Sequence, residues 1–217
     1  MGFINLHTHH HTNTDILELV NQYPDTFVDG LQHYSIGIHP WRINDADVEA
    51  QLDFIEQKMI DTACLAVGEC GLDKRIEIPL AQQLPVFEAQ LRLAEQYCKP
   101  VIIHCVAAFQ EVIALKKEIG ISVPMVVHGF SKNSQVAQSL LDNGFYLSFG
   151  KYLLRNPELS PVFTAVPNSR FFLETDTIEE DISQVYEVAA GYKDISLEDL
   201  KEIVKTNFLN VFSNNTA

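Results

Sequence analysis

Short apolar runs rich in β-branched and aromatic residues alternate along the whole chain with longer segments of helical period, and few architectures accept that order. Eight candidate strands are read near Phe3–His7, Thr26–Val28, Tyr34–His39, Cys64–Glu69, Val101–His104, Met125–His128, Phe145–Phe149 and Phe171–Thr175. Thr26–Val28 carries the weakest signal. Between the strands, Ala46–Ile60 places Val48, Leu52, Ile55 and Met59 three or four residues apart, and Leu84–Tyr97 does the same with Phe87, Leu91 and Ala94. Further helices are predicted over Phe109–Lys117, Ser134–Leu141, Asp181–Ala190 and Leu197–Phe208, the last introduced by Ser196 with Asp199 in a capping-like start. Eight strands with intervening helices in 217 residues predict an α/β fold, a compact (β/α)8 barrel of TIM type with short loops. A doubly wound open sheet is the structural runner-up, but no G-x-G-x-x-G or G-x-x-x-x-G-K-[ST] follows any strand.

Apolar residues make up 47% and charged residues 20%, which is globular composition and excludes a disordered or collagen-like chain. With no linker or low-complexity tract, residues 1–217 read as one domain. No apolar run is long enough to cross a bilayer, and Met1-Gly2-Phe3-Ile4-Asn5 has neither the basic nor the apolar part of a secretory signal, so the expected compartment is the cytoplasm. Cys64, Cys70, Cys98 and Cys105 form no C-x-x-C pair and are expected to be ordinary thiols. The formal net charge is −14, which opposes sequence-independent attraction to nucleic acid. A polyanionic substrate therefore needs local positive charge, which a metal ion supplies.

The chemistry-bearing residues stand at the ends of the strands. His7 and His9 close the first apolar run, and the two-residue repeat of a strand turns both imidazoles to one side. Glu69 terminates Leu65-Ala66-Val67-Gly68, His104 terminates Val101-Ile102-Ile103, His128 terminates Met125-Val126-Val127, and Asp176 follows Phe171-Phe172-Leu173 closely. Taken singly, each has a structural alternative, such as a core histidine or a helix cap. Together they lie where a (β/α)8 barrel gathers its active site, at the C-terminal ends of its strands. Four imidazoles and two carboxylates suit zinc, manganese or another borderline divalent ion better than calcium, and six ligands exceed what one catalytic metal with an open position needs. Two divalent ions (Zn, Mn or Mg) and hydrolysis by activated water are expected.

The order and spacing of these segments resemble the TatD-type metal-dependent deoxyribonucleases of the amidohydrolase-like barrels. The resemblance runs from His7-Thr8-His9 through Gly37-Ile38-His39-Pro40, Val67-Gly68-Glu69-Cys70-Gly71-Leu72-Asp73 and Pro100-Val101-Ile102-Ile103-His104. It continues in His128-Gly129-Phe130-Ser131, Leu173-Glu174-Thr175-Asp176 and Asn207-Phe208-Leu209-Asn210-Val211-Phe212. By this resemblance one ion would be held by His7, His9, Glu69 and Asp176, and the other by Glu69, His104 and His128, with Glu69 as the bridge. Asp176 would also orient or deprotonate the attacking water, and His39 would bind near the substrate phosphate.

Departures from the family pattern bear on the substrate. Val106 stands where an arginine is usual and Lys132 where a glycine is, and the stretch between the first and third strands is shorter. Lys74, Arg75, Lys132 and Lys151 are the basic residues nearest the expected rim, and Trp41 is placed to stack on a base or sugar or to pack in the core. Cys70 and Cys105 each follow a ligand, so alternation points their thiols away from the metals. The expected function is hydrolysis of a phosphodiester in DNA or nucleotide fragments, preferably at single-stranded ends, by a monomer with no membrane partner, and the sequence lets no protein partner be inferred. The alternatives are a metallohydrolase of the same barrel class acting on an amide, lactone or non-nucleic phosphoester, and a non-catalytic metal-binding protein.

Overall fold

The computed structural model describes residues 2–12, 16–43 and 47–212. Eight strands, β1 (Ile4–Thr8), β2 (Leu17–Gln22), β3 (Tyr34–Ile36), β4 (Cys64–Asp73), β5 (Val101–Val106), β6 (Met125–Val127), β7 (Tyr146–Phe149) and β8 (Phe171–Leu173), follow one another in chain order through a single sheet. The helices are α1 (Val48–Lys58), α2 (Leu80–Gln96), α3 (Phe109–Ile119), α4 (Ser134–Asp142), α5 (Lys151–Arg155), α6 (Ser160–Ala165), α7 (Ile182–Lys193) and α8 (Leu197–Phe212). The pairs β1–β2, β3–β4, β4–β5 and β7–β8 are parallel. The fold is the (β/α)8 barrel that the alternation predicts.

One expected strand is displaced. Pro24–Thr26 forms a turn of 3₁₀ helix where Thr26–Val28 was expected to extend, with Pro24 fixing the first backbone angle. The second strand lies upstream, at Leu17–Gln22, and three of its side chains, Glu18, Asn21 and Gln22, are polar and buried. Buried polar residues erase the apolar run by which a strand is recognised. α2 begins at Leu80, four residues before the expected Leu84, and carries Pro85 inside it. α5 and α6 were not expected. The first residue of the expected Ala46–Ile60 helix, Ala46, lies outside the described residues.

Packing divides the chain into two compact units, Met1–Val20 with Val127–Ala217, and Asn21–Val126. In the first, Phe130, Phe149, Phe163 and Phe171 form a buried edge-to-face series with centroids 5.5, 5.0 and 5.0 Å apart. Here β8 meets β1 through a parallel bridge between Thr8 and Asp176. The buried Tyr186 hydroxyl donates to the Ile4 carbonyl at 2.9 Å, and Asn207 Nδ2 donates to the carbonyls of Asn168 and Phe171 at 2.8 and 2.9 Å. The first bond fixes α7 to β1, and the pair from Asn207 fixes α8 to β8 and the turn before it. Ser196 caps α8 as predicted, its hydroxyl accepting from Asp199 N at 3.1 Å.

In the second unit, Ile55 and Met59 of the α1 region and Phe87, Leu91 and Ala94 of α2 are buried, as their spacing predicts. β4 runs four residues past the expected end at Glu69. Gly68 (φ +136°) and Gly71 (φ +146°) make that possible, because a Cβ would fall 2.4 Å from the Ile102 carbonyl oxygen at the one and 2.0 Å from that of His104 at the other. β5 therefore lies closer to β4 than a side chain would permit. Cys64, Cys70 and Cys105 are buried, Cys98 is exposed, and all four are free thiols.

Candidate metal centre

In the first unit, the meeting of β8 with β1 places the donors. Asp176 N donates to the His7 carbonyl and His9 N to the Asp176 carbonyl, both at 2.9 Å. The Asp176 backbone takes the left-handed region (φ 58°), which aspartate tolerates better than most residues. Its Oδ1 then lies 3.8 Å from His7 Nε2 and 3.5 Å from His9 Nε2. The fully buried His7 ring sits 4.3 Å from the His128 ring, and donor atoms of His7, His128 and Asp176 all fall within 4.8 Å of one another.

Glu174 stands behind this group. It is fully buried, and its Oε1 accepts from Gly129 N at 2.7 Å and lies 3.4 Å from His128 Nδ1. Burial alone would push its carboxyl up, but the polar contact and charge of His128, with His7 and Ser148, hold it below the ordinary value. A carboxylate kept ionised beside one nitrogen of an imidazole is the usual support of a metal-binding histidine.

In the second unit, Glu69 lies between two other imidazoles. Its Oε1 is 3.1 Å from His39 Nε2 and 2.9 Å from His104 Nδ1, and its backbone N–H donates to Asn21 Oδ1 at 2.7 Å. His39 Nδ1 accepts from Trp41 N at 3.1 Å, so the ring proton belongs on Nε2, where it faces Glu69. The other nitrogen of His104 faces Asp73 Oδ2 at 3.3 Å. His39, Glu69 and His104 also offer three donor atoms within 4.8 Å of one another.

Asp73 ties this group to its surroundings. It is 2% exposed, and it accepts from Trp41 Nε1 at 2.8 Å and from Arg75 N at 2.8 Å. Burial acts to raise its carboxyl, and the bonds from Trp41, Arg75 and His104 outweigh burial and hold it below the ordinary range. Two buried glutamines of α2, seven residues apart on one face, fix the adjoining main chain. Gln90 Oε1 accepts from Ile38 N at 2.7 Å while its Nε2 donates to the Ile38 carbonyl at 3.2 Å, immediately before His39. Gln83 does the same for Asp73, with both bonds at 2.8 Å.

The residues singled out from sequence thus fall into two groups: His7, His9, His128 and Asp176 in one unit, Glu69 and His104 in the other. His39, expected to bind the substrate phosphate, instead faces Glu69 with Nε2 and accepts from Trp41 N with Nδ1. Asp73, Glu174, Asn21, Gln83 and Gln90 were not singled out for a role. Asp73 follows Glu69 by four residues and Glu174 precedes Asp176 by two, so strand alternation was the available signal. Of the basic residues, Lys74 is engaged by Glu111 at 2.5 Å, Arg75 is exposed, and Lys132 and Lys151 are half-buried.

Mixed imidazole and carboxylate donors at these separations fit a borderline divalent cation, and the Asp73–His104 and Glu174–His128 contacts supply the outer support such ligands use. The comparisons agree with that chemistry. The family model described as TatD related DNase matches residues 1–213. An uncharacterized metal-dependent hydrolase, YabD of Bacillus subtilis, is 28% identical over 93% of this chain and 83% of its own length. The 3'-5' ssDNA/RNA exonuclease TatD of Edwardsiella piscicida is 33% identical over 74% of this chain, a stretch that is 61% of that protein. Among solved structures, the TatD homologue YjjV of Escherichia coli K12 superposes with a TM-score of 0.83 at 20% identity, covering 97% of this chain and 98% of that one. The chain belongs to the TatD related DNase family and is a metal-dependent hydrolase.

Proposed function

We propose that the chain is a metal-dependent phosphodiesterase that cleaves DNA or nucleotide fragments at single-stranded ends, with His7, His9, Glu69, His104, His128 and Asp176 as ligands of two divalent ions. The observation that carries this reading is that Asp176 and Glu69 each lie between two imidazoles at separations of 2.9 to 3.8 Å. Divalent ions bound there supply Lewis acidity, lowering the pKa of water and offsetting charge that develops on a phosphate. Asp176, partly exposed, is the residue that would orient the attacking water and take its proton. His39 and Asn21 hold Glu69 in place from the side chain and the main chain, and Asp73 holds His104. Single-stranded ends are favoured because a chain of net charge −14 has little positive surface to grip a duplex.

Hydrolysis of a single-stranded oligonucleotide, followed in chelator and after return of Mg²⁺, Mn²⁺ or Zn²⁺, tests the proposal. Activity should vanish in chelator, return with metal, and fall to background in Glu69→Ala and Asp176→Asn. Undiminished cleavage by those variants would refute the assignments. A second reading, hydrolysis of an amide, lactone or small phosphoester, is favoured by the half-buried Val106 at the end of β5, whose side chain carries no charge to meet a phosphate. A panel of such compounds set against oligonucleotides separates the two.

A further inference from the structure

The chain has a single tryptophan, and the structure leaves it in solvent: Trp41 is 63% exposed. Burial would stabilise so large an apolar side chain, so its exposure needs a reason. Nor is the side chain loose. Its indole N–H donates to Asp73 Oδ2 at 2.8 Å, and its backbone N–H donates to His39 Nδ1 at 3.1 Å. The ring meets His39 and His104 edge to face, with centroids 5.1 and 5.8 Å away. The next residue, Arg42, lays its guanidinium 4.4 Å over the Tyr23 ring and pairs with Asp25 at 2.5 Å. A fixed, exposed aromatic is the usual stacking element of a single-strand binding surface.

We propose that Trp41 is the platform on which a base of single-stranded nucleic acid stacks, presenting the adjoining phosphate to the divalent ion that Glu69 and His104 would hold. This inference rests on the phosphodiesterase reading and adds a subsite to it. The observations favour a base over a sugar because the exposed group is a broad, flat π-surface locked in position by hydrogen bonds, so little ordering entropy is lost on contact. Asp73 serves both sides of the arrangement, since the same Oδ2 receives the Trp41 indole and faces His104. Loss of the indole removes a stacking partner and one bond to Asp73.

The test uses the full chain loaded with Mn²⁺ and two single-stranded oligonucleotides of equal length, one normal and one abasic. The quantity read is the ratio of kcat/KM on the normal strand to that on the abasic strand. Trp41→Ala should lower this ratio by about fivefold to a hundredfold, the range that base–aromatic stacking implies, and Trp41→Phe should restore most of it. Intrinsic fluorescence gives a second reading that needs no variant. Because Trp41 is the only tryptophan, the normal strand should quench the emission in the presence of Ca²⁺ and the abasic strand should leave it nearly unchanged. An unaltered ratio in an active wild-type background, or equal quenching by both strands, overturns the Trp41 assignment alone. No cleavage of either strand by the wild-type chain overturns the phosphodiesterase reading and this inference with it.

Discussion

Asp176 between His7 and His9, and Glu69 between His39 and His104, repeat one device: a carboxylate whose oxygen is within about 4 Å of two ring nitrogens. The supporting carboxylates differ in accessibility and partner. Glu174 is sealed behind His128, and Glu174→Gln keeps an acceptor for Gly129 N while removing the charge. We expect that change to weaken divalent-metal affinity by about 10- to 100-fold, the range for lost outer-shell support, with little effect on the unfolding midpoint of the metal-free chain. Competition with a chromophoric chelator measures it. Away from the site, Asp61 accepts from Ala63 N at 2.9 Å and from the buried Tyr34 hydroxyl at 2.8 Å, and these bonds hold its carboxyl below the ordinary carboxylate range. A depressed carboxyl stabilises the fold above its unfolded pKa and ceases to do so as the pH falls through the folded value. Asp61→Asn should therefore lower stability by about 1–2 kcal/mol at pH 7 and by progressively less on acidification below pH 4, read from urea unfolding.

At the scale of elements, α2 does more than cover β4. Gln83 and Gln90 answer main-chain groups of Asp73 and Ile38 that the strand ladder leaves over. Gln83→Leu and Gln90→Leu should each cost about 1–3 kcal/mol in urea unfolding, because buried backbone groups lose their partners. Gln90→Leu should also reduce kcat, since Ile38 precedes His39; wild-type stability in both variants would contradict this account of α2. The same elements show what the sequence carried openly. Runs such as Val101-Ile102-Ile103 and Met125-Val126-Val127 are apolar because both faces of those strands are buried, so their position and the histidine that follows them could be read directly. β2 was not legible, since Leu17–Gln22 buries Glu18, Asn21 and Gln22 among its apolar residues. Asp73 escaped for a related reason. Gly68 and Gly71 interrupt the run, yet they are what lets β4 continue beside β5. The first-line ligand candidates were visible because strand ends announce them, whereas Gln83, Gln90 and Asn21 act through long-range bonds that leave no local pattern.

For the whole molecule, an excess of 14 negative charges sets the terms on which an anionic substrate is met. With Lys74 paired to Glu111 and Val106 uncharged, the proposed phosphodiesterase would draw its phosphate to bound metal rather than along a basic track. A crystal soaked in Zn²⁺ and measured on both sides of the zinc edge tests this most directly. The account predicts anomalous peaks at coordination distance, about 2.0–2.2 Å, from donor atoms of His7, His128 and Asp176 and from those of Glu69 and His104. A map with strong zinc peaks elsewhere and none at these side chains would contradict it.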